Sequence, residues 1–194
     1  GDLHGCIDLT LNIDYKNLFK TIFDSDKKII LHSCRQDLEI LNMVLGYIPK
    51  NIFDTQFAAS FLGFKYQIGY AELIREIYNI TIDKTEKMTN WKKRPLSQKQ
   101  IDYAINDVLH LNKLSKFLNE KLIETNKIDF YNEEFENYIS DIEWNPSADS
   151  SWKKLKSINN LNKETQDITK IIAVWREKKA INKNIPRNWV MNEK

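Results

Sequence analysis

The apolar and polar positions of this chain fall into short segments of opposite periodicity. Residues 6–12, CIDLTLN, alternate strictly. Ile7, Leu9 and Leu11 share one side and Asp8, Thr10 and Asn12 the other, which predicts a half-buried strand. Asp14 can cap a helix carrying Leu18, Phe19, Ile22 and Phe23. The run Ile29-Ile30-Leu31, within 28–32, predicts a buried strand. The next helix carries Asp37 in its first turn, turns Leu38, Leu41, Val44 and Leu45 inward, and stops at Gly46. Residues 51–54 form a short strand or turn, and Asp54 fits better as the cap of the following helix than as a ligand. Residues 55–62 and 70–78 predict two helices, the first stopped by Gly63. Strands alternating with helices give an α/β chain.

The strongest helical signal lies at 97–111. Ser97 and Gln100 have the spacing of a capping box, Leu96 and Ile101 that of a hydrophobic staple, and Pro95 keeps the helix from starting earlier. Ile101, Ala104, Ile105, Val108 and Leu111 recur at helical spacing and are expected to face a core. Tyr103 and Asp107, four residues apart, point from one face. Helical patterning continues to about Trp144. Residues 145–149, Asn-Pro-Ser-Ala-Asp, read as a linker. Beyond it, Trp152 and then Ile168, Ile171, Ile172 and Trp175 predict a second helical part. Two domains are expected, 1–144 and 150–194.

Composition narrows the class. With 194 residues and 42% apolar content the chain can build a core. Cys6 and Cys34 are its only cysteines, which argues against a disulfide framework or zinc site and for a reducing cytoplasm. No apolar run reaches the length of a membrane span, and no charged-then-apolar leader opens the chain. The net charge of +2 says little, but its distribution says more. From Asp83 to Lys99 six basic residues stand against two acidic ones, with Trp91 among them. That mixture suits a single-stranded backbone and a stacked base. A second basic run, 176–187, sets five cations against Glu177 alone.

Three stretches taken together carry a resemblance. HSCRQDLEIL at 32–41, WKKRPL at 91–96 and the Tyr103–Asp107 helix follow one another in the order and spacing of ribonuclease D. The chain thus resembles the 3′-to-5′ exoribonucleases of the DEDD superfamily. The superfamily's other branch has His five residues before the last Asp; Asp102 stands there, which places the chain in the tyrosine branch. Met88 and Asn90 stand where Arg and Asp are common. The run VWREKKAINKNIPRNWV resembles the opening of the all-α HRDC domain.

The resemblance implies a ribonuclease-H-like exonuclease fold, a sheet with helices on both faces, followed by the start of that HRDC domain. It implies phosphodiester hydrolysis with two divalent ions, Mg²⁺ or Mn²⁺, and RNA as partner, tRNA precursors and other structured RNAs among them. Neither a membrane nor a protein partner is implied. Asp37 and Asp107 would bind metal, and Tyr103 would orient the attacking water. Lys84, Trp91 and Arg94 would contact RNA. Two further acids belong to a first motif, Asp-x-Glu. None precedes the 6–12 segment, so these 194 residues alone are expected to lack activity. Two other functions remain open at this point: a catalytically inactive RNA-binding remnant, and a DNA exonuclease of the same fold. The opening Gly1-Asp2-Leu3-His4-Gly5 spells the first motif of metallophosphoesterases, but the three histidines His4, His32 and His110 are too few for that chemistry.

Overall fold

The computed structural model describes residues 4–8, 10–11, 14–23, 26–83, 85–144, 147–155, 157–183, 185 and 187–191. They belong to two units, Gly1–Asp141 and Ile142–Lys194.

In the first unit, helix α1 (Tyr15–Phe23) starts at Asp14, whose Oδ1 accepts the Asn17 amide at 3.3 Å. Strand β1 (Ile29–Leu31) leads into α2 (Arg35–Leu45). Gly46 ends that helix at φ 82°, a left-handed conformation in which any Cβ would be strained. Strand β2 (Ile52–Asp54) returns parallel to β1, pairing Ile29 with Ile52, Ile30 with Phe53 and Leu31 with Asp54. The parallel pair needs a crossover, and α2 supplies it. Helices α3 (Thr55–Phe61), α4 (Tyr70–Tyr78), α5 (Gln98–Asn106), α6 (Leu111–Glu124) and α7 (Ile128–Ser140) follow. Leu114, Leu118 and Leu122, at helical spacing on α6, are fully buried, as are Leu38 of α2 and Leu73 and Ile74 of α4. An aromatic wall joins β2, α3 and α7: the Phe57 ring lies 5.3 Å from Phe135 and 5.9 Å from Tyr131, and Phe53 lies 5.1 Å from Tyr131. Such ring pairs add about 0.5–1.5 kcal/mol each beyond their buried area.

Asp54 ties the strands to the helices. It closes β2 and caps α3, Oδ1 accepting the Gln56 and Phe57 amides at 2.7 and 3.1 Å. The same carboxylate accepts the Ser33 amide at 3.1 Å and the Cys34 amide at 2.7 Å, at the start of α2. Its own N–H donates to the Tyr131 hydroxyl at 3.1 Å.

Two expectations fail. Residues 6–12 do not form a strand: 4–8 are irregular, 10–11 turn, and Ile7 and Leu11 are exposed. Leu9 and Asn12 lie outside the described residues. A strand needs a neighbour for its N–H and C=O groups, and among the described residues the sheet consists of β1 and β2. Asp8 instead accepts from the Thr10 amide and hydroxyl. The helix expected to run to Leu111 stops at Asn106, and residues 107–110 form a turn before α6. Asn106 and Asp107 favour local side-chain bonds over helix, and β-branched Val108 adds little to continue it. Val108 and Leu109 consequently face solvent, and Ile101, Ala104 and Ile105 are only half-buried.

In the second unit, 3-10 turns at Ala148–Lys154 and Ile158–Asn160 precede the long helix α8 (Lys163–Lys183) and the short α9 (Arg187–Val190). Residues 145 and 146 of the expected linker lie outside the described residues. The buried face of α8 is made by Ala173, Arg176 and Ala180, whereas Ile168, Ile171, Ile172 and Trp175 are exposed.

Replacing the Asp54 carboxylate leaves four amides to find other acceptors. Asp54→Ala should therefore cost about 2–4 kcal/mol of unfolding free energy in urea, and Asp54→Asn, which keeps one oxygen, clearly less. A loss below ~1 kcal/mol for the alanine variant would mean that water replaces the knot.

Candidate active site

The site is built around Tyr103. Helix α5 begins at Ser97, whose hydroxyl accepts the Gln100 amide at 3.2 Å while Gln100 Oε1 accepts the Ser97 amide at 3.0 Å. Gln100 is the one fully buried side chain described in α5, and its Nε2 donates to Thr89 Oγ1 at 3.1 Å. The capping box thus also fastens the segment ahead of the helix. Within that segment the Trp91 indole N–H donates to the Glu86 carbonyl at 3.1 Å, and the Trp91 ring packs 5.8 Å from the Tyr103 ring. Arg94 braces it from the other side. Its guanidinium donates to the Trp91 carbonyl at 2.8 Å, to the Lys93 carbonyl at 3.0 Å and to both oxygens of Asp8. The Arg94 fork and the Thr10 bonds hold the Asp8 carboxyl well below the usual carboxylate range.

Asp107 caps the C-terminal end of α5, its amide bonded to the Tyr103 carbonyl at 3.1 Å. The Tyr103 phenol lies beside the Asp107 side chain. Partial burial and the neighbouring Asp107 carboxylate raise the Tyr103 pKa, so the phenol keeps its proton at neutral pH. Tyr103 also lines a cavity of about 210 Å³ together with Asp83, Thr85, Glu86, Lys99, Asp102 and Asn106.

Asp37 projects from the first turn of α2 and is exposed. Burial of part of the group and the charge of Asp54 raise its pKa, and among the described residues no cation pairs with it. His32, at the end of β1, is occupied within the protein: Nδ1 meets Thr55 Oγ1 at 2.9 Å and Nε2 meets the Ile68 carbonyl at 3.0 Å. Burial lowers its pKa and keeps the ring neutral. Cys34, buried beside Asp54, has its thiol pushed far up by burial and by that charge, so it is chemically inert.

The structure joins Tyr103, Asp107 and Trp91 in one contact set. Arg94 approaches the same segment but is engaged by Asp8, and Lys84 lies outside the described residues. Asp37 and Asp107 offer the hard carboxylate oxygens that Mg²⁺ and Mn²⁺ prefer. The donor type fits a divalent ion; the number is short, since among the described residues no three His, Cys, Asp or Glu side chains group closely enough to hold one. Sequence patterning missed Tyr70, whose hydroxyl oxygen accepts the His110 amide at 3.0 Å beside Asp107, and missed Asp8 as the partner of Arg94. No spacing rule signals either, because each pair is 40 or more residues apart in sequence.

Residues 5–123 match the family described as 3′-5′ exonuclease. The chain belongs to that family. It is similar to ribonuclease D of Desulfotalea psychrophila (strain LSv54 / DSM 12343), 36% identical over 181 residues, which cover 93% of this chain and 48% of the relative. It also superposes on the crystal structure of Escherichia coli RNase D, an exoribonuclease involved in structured RNA processing. The TM-score is 0.82 at 26% identity, over 93% of this chain and 48% of that one. The structure of Brucella melitensis NrnC with bound Mg²⁺ matches less fully, at TM-score 0.51 and 26% identity over 62% of this chain and 58% of that one. The exonuclease chain has the ribonuclease-H-like fold of ribonuclease D and spans about half the length of the ribonuclease D relatives it matches. Among its described residues no helix is long and apolar enough to cross a membrane.

An unpaired carboxylate held at a raised pKa burdens the fold. Asp37 ordinarily titrates near 3.8; its folded value is higher, so the penalty is full above the folded value and gone below the unfolded one. In metal-free buffer at pH 7, Asp37→Asn should raise the melting temperature, by no more than about 1 kcal/mol of stability for so exposed a group. That gain should vanish as the pH is taken below ~4. A variant less stable than the parent at pH 7 would show that Asp37 makes favourable contacts instead.

Proposed function

We propose that this chain is the catalytic part of a metal-dependent 3′-5′ exoribonuclease of the ribonuclease D type, trimming the 3′ ends of tRNA precursors and other structured RNAs. The observation that carries the reading is the Tyr103–Asp107 pair at the end of α5, in a chain of the 3′-5′ exonuclease family. Asp37 and Asp107 are the metal ligands. Divalent ions, when bound, supply a water of lowered pKa and neutralise charge on the scissile phosphate.

The protein's own groups do the positioning. The Asp107 carboxylate beside the Tyr103 hydroxyl keeps the phenol protonated, and Trp91 fixes the ring behind it. With a raised pKa the phenol is a donor and orienter of the attacking water rather than a base. Trp91 shapes the path of the last nucleotides. Arg94 presents to a phosphate the same fork that it gives the Asp8 carboxylate, and Lys84 supplies a further cation. The unit Ile142–Lys194, read as the start of an HRDC domain, adds phosphate contacts. Of its basic run, Arg176 is buried and Lys178 pairs with Asp149 at 2.8 Å, so the exposed Lys179 and Lys183 are the cations offered to RNA. With both thiols unpaired, the protein suits a reducing cytoplasm.

The test is single-turnover cleavage of labelled RNA with Mg²⁺ or Mn²⁺, in protein that carries the Asp-x-Glu strand. Asp107→Asn should abolish hydrolysis and leave RNA affinity within about threefold, since phosphate contacts come from separate cations. Tyr103→Phe should slow the chemical step by roughly 10²-fold with Mn²⁺ affinity unchanged. Cleavage by Asp107→Asn at more than a few per cent of the parent rate would sink the ligand assignment. In the same protein, ending the chain after Asp141 should lower the slope of log affinity against log salt by about two, one unit per lost phosphate contact. Equal slopes would remove the second unit from the RNA path.

A further inference from the structure

The turn that carries Asp107 is held from outside its own helices. Within it the Asp107 amide bonds to the Tyr103 carbonyl, Val108 and Leu109 to the Ile105 carbonyl, and Leu111 to the Val108 carbonyl. The remaining amide, that of His110, donates to the phenol oxygen of Tyr70 at 3.0 Å. Tyr70 is the first residue of α4, forty positions away in sequence. Its ring stands edge-on to the His32 ring, centroids 5.7 Å apart. His32 is itself clamped through Thr55 and through the carbonyl of Ile68, two residues ahead of Tyr70. Burial and the charge of Asp107 both act on the Tyr70 hydroxyl, which places it within reach of that carboxylate's field. A path of direct contacts thus runs from the Asp107 turn through Tyr70 to His32 at the end of β1. From there the chain enters α2, the helix of Asp37.

We propose that Tyr70 is a positioning residue for the divalent-ion site: its phenol oxygen fixes the 107–110 turn against the His32 end of β1, so that Asp107 is presented in one orientation. This rests on the reading of Asp107 as a metal ligand. Asp107 is exposed and lies outside regular helix, so the placing of its turn decides where its carboxylate is presented. A carboxylate must sit within about 0.5 Å of its productive place to serve as a ligand. Groups that orient a ligand from behind typically change metal affinity or activity by about 10–100-fold when removed. The hydroxyl that remains on Tyr78 is a useful contrast. It too bonds a backbone group across helices, donating to the Lys113 carbonyl at 3.2 Å, but it does so away from the Asp107 turn.

The experiment compares Tyr70→Phe with Tyr78→Phe in protein that carries the Asp-x-Glu strand, reading amide hydrogen exchange, thermal unfolding and Mn²⁺ affinity by water-proton relaxation. Tyr70→Phe should speed exchange at His110 at least tenfold and weaken Mn²⁺ by about 10–100-fold, with cooperative unfolding retained. Tyr78→Phe should change neither. Fluorinated tyrosine at position 70, which keeps the ring and hydroxyl but weakens the oxygen as an acceptor, should give an intermediate affinity. It serves as the deciding variant if Tyr70→Phe does not fold. Unchanged Mn²⁺ affinity in a folded Tyr70 variant, whether or not His110 exchange rises, overturns the proposal. If the parent chain and Asp107→Asn bind Mn²⁺ equally, the ligand reading of Asp107 fails, and this proposal falls with it for a distinguishable reason.

Discussion

The buried Asp54 carboxylate is the constraint on which the first unit depends. A charge at 3% exposure is tolerable only if it is compensated, and here four backbone amides and the N-terminal ends of α2 and α3 do so. One side chain thereby fixes where both helices leave the parallel strands. Tyr131 accepts the Asp54 amide, which brings α7 and the aromatic wall into the same network. The charge also sets the chemistry around it. Added to burial, which acts more strongly, it pushes the Cys34 thiol up and raises the Asp37 carboxyl that projects from the helix it helped to start. Structure and candidate chemistry are coupled at this point: the geometry that stabilises the fold makes Asp37 a poorly satisfied anion in want of a cation.

The Tyr103 side of the site follows a different logic. Its helix is short and half-buried, and α5 owes its placement to polar fastening more than to apolar packing. Gln100 links cap and upstream segment, Arg94 links that segment to Asp8, and Trp91 lies against the phenol. Polar fastening of this kind is geometrically specific, and each bond contributes only about 0.5–1.5 kcal/mol net. It suits a segment that must hold one aromatic ring in place. The sequence similarity to ribonuclease D of Desulfotalea psychrophila and the superposition on Escherichia coli RNase D each extend over 93% of the chain.

Much of this was legible in the residues. The capping box at Ser97 and Gln100, the caps at Asp14 and Asp54 and the stop at Gly46 all depend on bonds between near neighbours, which local sequence determines. The shared face of Tyr103 and Asp107 is likewise a matter of helical period, and their proximity follows from it. What the residues could not decide was anything requiring a distant partner. The alternation at 6–12 states that a strand could be half-buried there, but a strand forms only against a neighbour. Without one, Asp8 turned to Arg94 instead. The period through 97–111 is continuous, yet the backbone breaks after Asn106, and the His110 amide that the break releases is satisfied by a phenol from α4. In α8 the isoleucine stripe has the right spacing for a buried face, but Ala173 and Ala180 are the residues packed inward. Periodicity measures which side chains share a face; only contacts between segments remote in sequence determine which face is covered.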